Sequence, residues 1–132
     1  MYRVLIALSV AASVASASVA AAQPLPKRVG ACALTAVDVI GTRLEDPAQP
    51  NQRPNATMGT SVSFSNGGFQ VSYEYVAAID HSRRGDRVRI CLASIPKHCP
   101  PGDDRGRIYH TVNLRTHAAW RLPDSQHSCG GA

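Results

Sequence analysis

The sequence predicts an all-β protein: a small antiparallel β-barrel or sandwich of five to six strands with two disulfides, preceded by a cleaved signal peptide. Three observations carry this expectation. After residue 30, apolar side chains recur with a period of two almost everywhere. Turn-forming clusters such as Asn66-Gly67-Gly68 interrupt these runs at close spacing. All four cysteines follow an apolar, nearly chargeless N-terminus.

That N-terminus has the three parts of an export signal. Met1-Tyr2-Arg3 carries a single positive charge, Val4 to Val19 carry none, and Ala20-Ala21-Ala22 offers the small side chains that a signal peptidase accepts. Gln23-Pro24 breaks any continuing helix, so residues 1–22 are read as the signal and the cut falls near Ala22/Gln23. Residues 23–30, with Pro24, Pro26, Lys27 and Arg28, form a flexible N-terminal leader, and residues 31–132 form a single β domain. Without 22 of its 132 residues the chain suits one domain and not two. The only stretch apolar enough to cross a membrane is the one removed, which leaves no transmembrane segment in the mature chain.

The strands follow in order. Ala31–Leu44 contains Leu34, Val37, Val39 and Ile40 and reads as a first strand with a kink near Gly41. Residues 45–59 hold three prolines and form a mobile loop. Ser61–Ser65 and Phe69–Ile79 flank the Asn-Gly turn as a hairpin, with Val62, Phe64, Phe69, Val71, Tyr73 and Tyr75 on one face and Gln70 on the other. Arg87–Ile95 sets Val88, Ile90 and Leu92 against Arg87, Arg89 and Cys91. Arg107–Arg115 is expected to turn Ile108, His110, Val112 and Leu114 inward, with Tyr109, Thr111 and Asn113 outward. Ala119–Leu122 is the last strand.

Four cysteines in an exported domain form two disulfides from Cys32, Cys91, Cys99 and Cys129. Three pairings exist; loop entropy favours the nested one, Cys32–Cys129 with Cys91–Cys99, over its rival, Cys32–Cys91 with Cys99–Cys129.

Charge gives the best functional candidate. The mature chain holds thirteen basic and nine acidic residues, for a net charge of +4, and eight of the twelve arginines lie between residues 83 and 121. Strand parity puts Arg87, Arg89, Arg107, Arg115 and Arg121 on the solvent side with Tyr109, while the nearby acids fall in turns. The competing reading is a plain solvated sheet face with scattered ion pairs, each worth about 0–1 kcal/mol. A planar guanidinium fork suits carboxylate or phosphate, so an anionic envelope component or an acidic protein is the expected partner. Nucleic acid is disfavoured, because the interleaved aromatics that stack bases are missing.

Other constellations are weaker. His127-Ser128-Cys129 and His98-Cys99 lack the paired short spacings of a zinc site, and oxidised sulfurs cannot ligate as thiolates. His110 reads as a core histidine, Asp80-His81-Ser82 as turn chemistry, and Asp103-Asp104 as a turn between glycines. The sequence therefore leads to no catalytic residue, no metal and no cofactor. It favours a non-enzymatic binding or interaction module of a bacterial cell envelope, periplasmic or secreted. The bacterial assignment leans on the Ala-rich, Arg-over-Lys composition. The alternative is an inhibitor of a hydrolase that presents the disulfide-held loop 96–106.

Overall fold

The computed structural model describes Ser13, Ala15, Ser16 and residues 20–131, so most of the expected signal peptide, residues 1–22, lies outside the described residues. Six antiparallel strands form one curled sheet, a half-barrel. They are β1 (Cys32–Gly41), β2 (Thr60–Phe64), β3 (Phe69–Ser72), β4 (Arg87–Ser94), β5 (Ile108–Asn113) and β6 (Ala119–Pro123). Their order in the sheet is β3-β2-β1-β4-β5-β6. A single helical turn, α1 (Ala77–Asp80), stands where the sequence suggested more strand, and it buries Ile79 completely.

The long strand β1 works for both halves of the sheet. Residues Cys32 to Ala36 pair with β4, and Val37 to Gly41 pair with β2. The register slips between Val37 and Val39, so the bend expected near Gly41 is a bulge at Asp38. A bulge adds twist and bends its strand, which is what turns the two halves toward each other. The concave side collects Ala33, Val37, Val62, Phe64, Ile79, Val88, Ile90, Leu92, Tyr109 and Trp120 into one core.

β3 in part and β5 as a whole face the other way from the sequence expectation, each by its register, while Val71 of β3 is buried as expected. In the first hairpin Phe64 N–H bonds Gly68 O and Gly67 N–H bonds Phe64 O, so the loop is Ser65-Asn66-Gly67, with Gly67 at φ 83°. A three-residue loop with glycine in the left-handed position is a standard hairpin connection. It sets Gln70 opposite Val62, so Gln70 is fully buried while Phe69 and Tyr73 are exposed. In the second case Val88, Ile90 and Leu92 of β4 face inward as expected and lie opposite Asn113, Thr111 and Tyr109. Residues directly opposite share a face, so these three β5 side chains are buried and Leu114 is exposed.

The sheet's open sides come together through a side chain. Gln70 on β3 donates both amide hydrogens, to Tyr109 O at 2.9 Å and Leu122 O at 3.1 Å. Its Oε1 accepts from Thr111 Oγ1 at 2.7 Å and from Trp120 Nε1 at 2.9 Å. The amide thereby uses its full hydrogen-bonding capacity, as a buried polar group must.

The leader is held in place. Gln23 bonds Leu34 twice, Asn66 Nδ2 donates to Gln23 O at 2.9 Å, Pro26 is buried and Leu25 packs against the core. The disulfides are Cys32–Cys91 and Cys99–Cys129, which replaces the nested pairing. Cys32 and Cys91 are direct cross-strand neighbours in β1 and β4, 4.0 Å apart at Cα. Loop entropy ignored that proximity.

Candidate functional site

The six residues expected on one arginine face divide into three groups. Arg87, Arg89 and Arg121 do share the outer, convex face of the β1–β4–β5–β6 half, and all three are exposed. The register arranges this face in rows. One row runs from the Cys32–Cys91 disulfide through His110 to Arg121. The next runs Leu34, Arg89, Val112, Ala119. In the third, Ala36 lies opposite Arg87, whose carbonyl accepts from Leu114 N–H at 2.9 Å. Strand spacing puts Arg87 and Arg89 roughly 7 Å apart at Cα, with Arg121 roughly 12 Å from Arg89. Among the described residues, none of the three has a carboxylate within ion-pairing distance.

Arg107 and Tyr109 leave the face, which corrects the parity expected of β5. Ile108 is on the outer side opposite Pro123, and its neighbours therefore turn inward. Tyr109 is a core residue whose hydroxyl is pushed above its ordinary pKa, chiefly by burial. Arg107 is largely covered at the same end of the strand, 3.7 Å from Asp104. Asp124 stands beside it, accepting from Gly106 N–H at 2.8 Å; burial raises its pKa against the pull of that bond.

Arg115 is committed to the fold. Its Nε donates to Asp86 Oδ1 at 2.6 Å, one terminal nitrogen to Asp86 Oδ2 at 2.8 Å, and the same nitrogen to His81 O at 3.1 Å. Asp86 also accepts from Asn113 Nδ2 and from Arg83 N–H, both at 2.9 Å. These bonds, Arg115's first, hold the Asp86 carboxyl well below the usual carboxylate range despite burial. The Nε–Nη2 edge of this guanidinium is thereby taken, so it has no free bidentate edge there for a ligand.

The loop from 45 to 59, expected to be mobile, is anchored toward α1. Arg53 pairs with Asp80 at 2.8 Å and also donates to Asp80 O, while Tyr75 Oη donates to Asp80 Oδ2. Asn55 Oδ1 accepts from Thr57 and Met58 N–H, so this asparagine folds the loop on itself. The loop covers a cleft of about 380 Å³ beside Val39, Ile40 and Ser61. The loop joins β1 to β2, on the other half of the sheet from Arg89 and Arg121.

The histidines occupy separate places. His81 caps α1, His110 lies on the outer face opposite Arg121, and His127 is in the C-terminal segment beyond Asp124. All four cysteines are bonded in pairs. No protein-family profile matches the chain, and no curated protein or solved structure matches it either.

Sequence reasoning missed the buried polar residues Gln70, Thr111 and Asn113. Their signal was present: Gln70 lies opposite core Val62 once the hairpin loop is set at residues 65–67, and Thr111 and Asn113 lie opposite core Ile90 and Val88 once β5 is paired with β4.

Proposed function

We propose that this is a small exported binding module of a bacterial cell envelope, and that the outer face bearing Arg87, Arg89 and Arg121 receives an anionic partner. Residues 1–22 direct export and are removed, and the mature protein works in the periplasm or outside the cell. Two disulfides are consistent with an oxidising, extracytoplasmic setting. Among the described residues, no helix is long and apolar enough to cross a membrane.

One observation carries the choice of surface. Three arginines with no acidic partner among the described residues stand on one sheet face, interleaved with Leu34, Val112 and the exposed Leu114. Other arginines nearby, Arg105, Arg107 and Arg115, are engaged by Asp103, Asp104 and Asp86. Free guanidiniums around apolar side chains suit a surface that is both anionic and partly greasy, such as acidic lipid headgroups.

The test is co-sedimentation with vesicles of anionic phospholipid. Binding should weaken as salt rises from low to physiological strength. It should drop at least about tenfold in Arg87→Gln/Arg89→Gln/Arg121→Gln, a loss of about 1.4 kcal/mol or more. Arg107→Gln, off the face, should bind like the parent. Binding that ignores salt, or that survives the triple change, overturns the reading.

A second reading is supported by the C-terminal staple. Cys99–Cys129 fastens the 96–106 loop, with Lys97 and His98 exposed at its start, much as a protein inhibitor holds a rigid loop out to its target. It predicts tight one-to-one binding to an envelope or foreign hydrolase that persists at moderate salt. Recovery of no partner by the immobilised protein would count against it.

A further inference from the structure

We propose that the mature chain begins with a pyroglutamate formed from Gln23, and that the edge of β1 is its seat. The inference rests on the export reading above, which frees the Gln23 amine by cutting after Ala22.

The geometry lies in one residue-to-residue contact. Gln23 N–H donates to Leu34 O at 2.8 Å, and Leu34 N–H donates to Gln23 Oε1 at 2.8 Å. Both of Leu34's backbone groups project from the same side of the strand, so one strand residue is bridged by the main-chain nitrogen and the side-chain oxygen of one glutamine. This requires the Gln23 side chain to curl back toward its own nitrogen, which is the shape that precedes ring closure. In the closed lactam the N–H and C=O lie on the same side of a cis amide. That donor–acceptor pair complements the acceptor–donor pair of a strand edge.

The surroundings fix the rest of the residue and leave the departing group unheld. Gln23 O accepts from Asn66 Nδ2 at 2.9 Å, and Leu25 and Pro26 pin the following residues against the core. Among the described residues Gln23 Nε2 has no hydrogen-bond partner, so its loss breaks no contact. Gln23 precedes proline, which restricts it to extended backbone.

The reaction balances without any co-reactant. The α-amine nitrogen attacks Cδ, forming the N–Cδ bond, and the Cδ–Nε2 bond breaks. Ammonia leaves with a proton given up by the amine. A charged terminus is thereby replaced by a neutral amide that covers part of the edge of β1 not paired with another strand, where unpaired groups otherwise invite association.

Mass spectrometry of the protein recovered from outside the cytoplasm tests this. The expected chain starts at residue 23, is lighter than the Gln23 form by one ammonia, resists Edman degradation, and gives an N-terminal fragment whose lost mass lies on residue 23. A free Gln23 amine that persists overturns this proposal and leaves export intact. A chain that retains Met1 overturns both, and one cut at a neighbouring residue overturns this proposal alone. Hydrogen exchange tests the seat: in exported Gln23→Asn, whose shorter side chain cannot close this ring, the Leu34 amide should exchange at least about tenfold faster. Equal exchange in the two proteins overturns the seat.

Discussion

The two sides of strand β5 carry opposite kinds of residue for opposite reasons. Its inner side shows Tyr109, Thr111 and Asn113, two of them polar, yet all three are buried. Its outer side shows Ile108, His110 and Val112, more apolar on average, yet only partly covered. The inner polar atoms are bonded: Thr111 to Gln70, and Asn113 to Ser82 and Asp86. A buried polar group with all its partners costs little, and one left alone costs about 1–3 kcal/mol. Hydrophobicity alone therefore misassigns this strand, because its inner side is a hydrogen-bonded seam closing a half-barrel.

The most severe way to break that seam is at Gln70. Gln70→Leu keeps apolar packing but strands the Thr111 hydroxyl and the Trp120 N–H, and it takes a second donor from the carbonyls of Tyr109 and Leu122, which pair with each other across β5 and β6. With about 1 kcal/mol lost per bond, urea denaturation should show a loss of about 4 kcal/mol. The near-ultraviolet signal of Trp120 should change with it. A loss below about 1 kcal/mol would mean that β3 and β6 hold together without this amide.

Next in size is the clamp at the other end of β5. Asp86→Ala removes the partner of Arg115, Asn113 and the Arg83 N–H, for an expected cost of about 2–3 kcal/mol. The Arg115 share is small, because that side chain is 42% exposed and well screened. The same carboxylate sets a pH dependence. Its folded pKa is depressed, so its stabilisation is present above the unfolded value of about 3.9 and fades as pH falls below it toward the folded value. Asp124 acts in the opposite sense. Its folded pKa is raised, so its ionised form costs stability at neutral pH, and that cost is relieved as pH falls. In urea melts run from pH 7 down to pH 2, the parent should lose its advantage over Asp86→Ala below about pH 4. Asp124→Asn should be no less stable than the parent at pH 7.

The bounds of β4 were readable in the sequence because that strand alternates cleanly: Val88, Ile90 and Leu92 are inside, with Arg87 and Arg89 outside. Six strands and two disulfides follow from such patterns and from the cysteine count. Less was readable where a side chain's place depends on a distant partner. Gln70 looked like a solvent residue because its four partners lie on β5 and β6, about forty to fifty residues away. Arg115 looked free because the acid that holds it, Asp86, was assigned to a turn. The disulfide pairing depended on Cys32 and Cys91 meeting across β1 and β4, a register that loop lengths do not encode. Only half of the expected arginine face survives, and it survives on the strands whose parity was plain.

The finest distinction comes from exchanging two neighbours, Thr111 and Val112, which differ little in shape. If hydrophobic alternation governed β5, Val112→Thr would bury an unpaired hydroxyl and be the harmful change, with Thr111→Val neutral or helpful. The register gives the reverse order. Thr111 is fully buried and donates to Gln70 Oε1 at 2.7 Å, so Thr111→Val deletes a buried bond. Gln70 Oε1 would still accept from Trp120 Nε1, which limits the cost to about 1 kcal/mol. Val112 lies between Arg89 and Ala119 on the half-open outer face, where a hydroxyl can meet water. Val112→Thr should therefore cost less than about 0.5 kcal/mol. Two denaturation curves decide the matter, since only the order of the two losses is needed. A larger loss for Val112→Thr would turn β5 over and take the hydrogen-bonded seam, and the division of the arginines, with it.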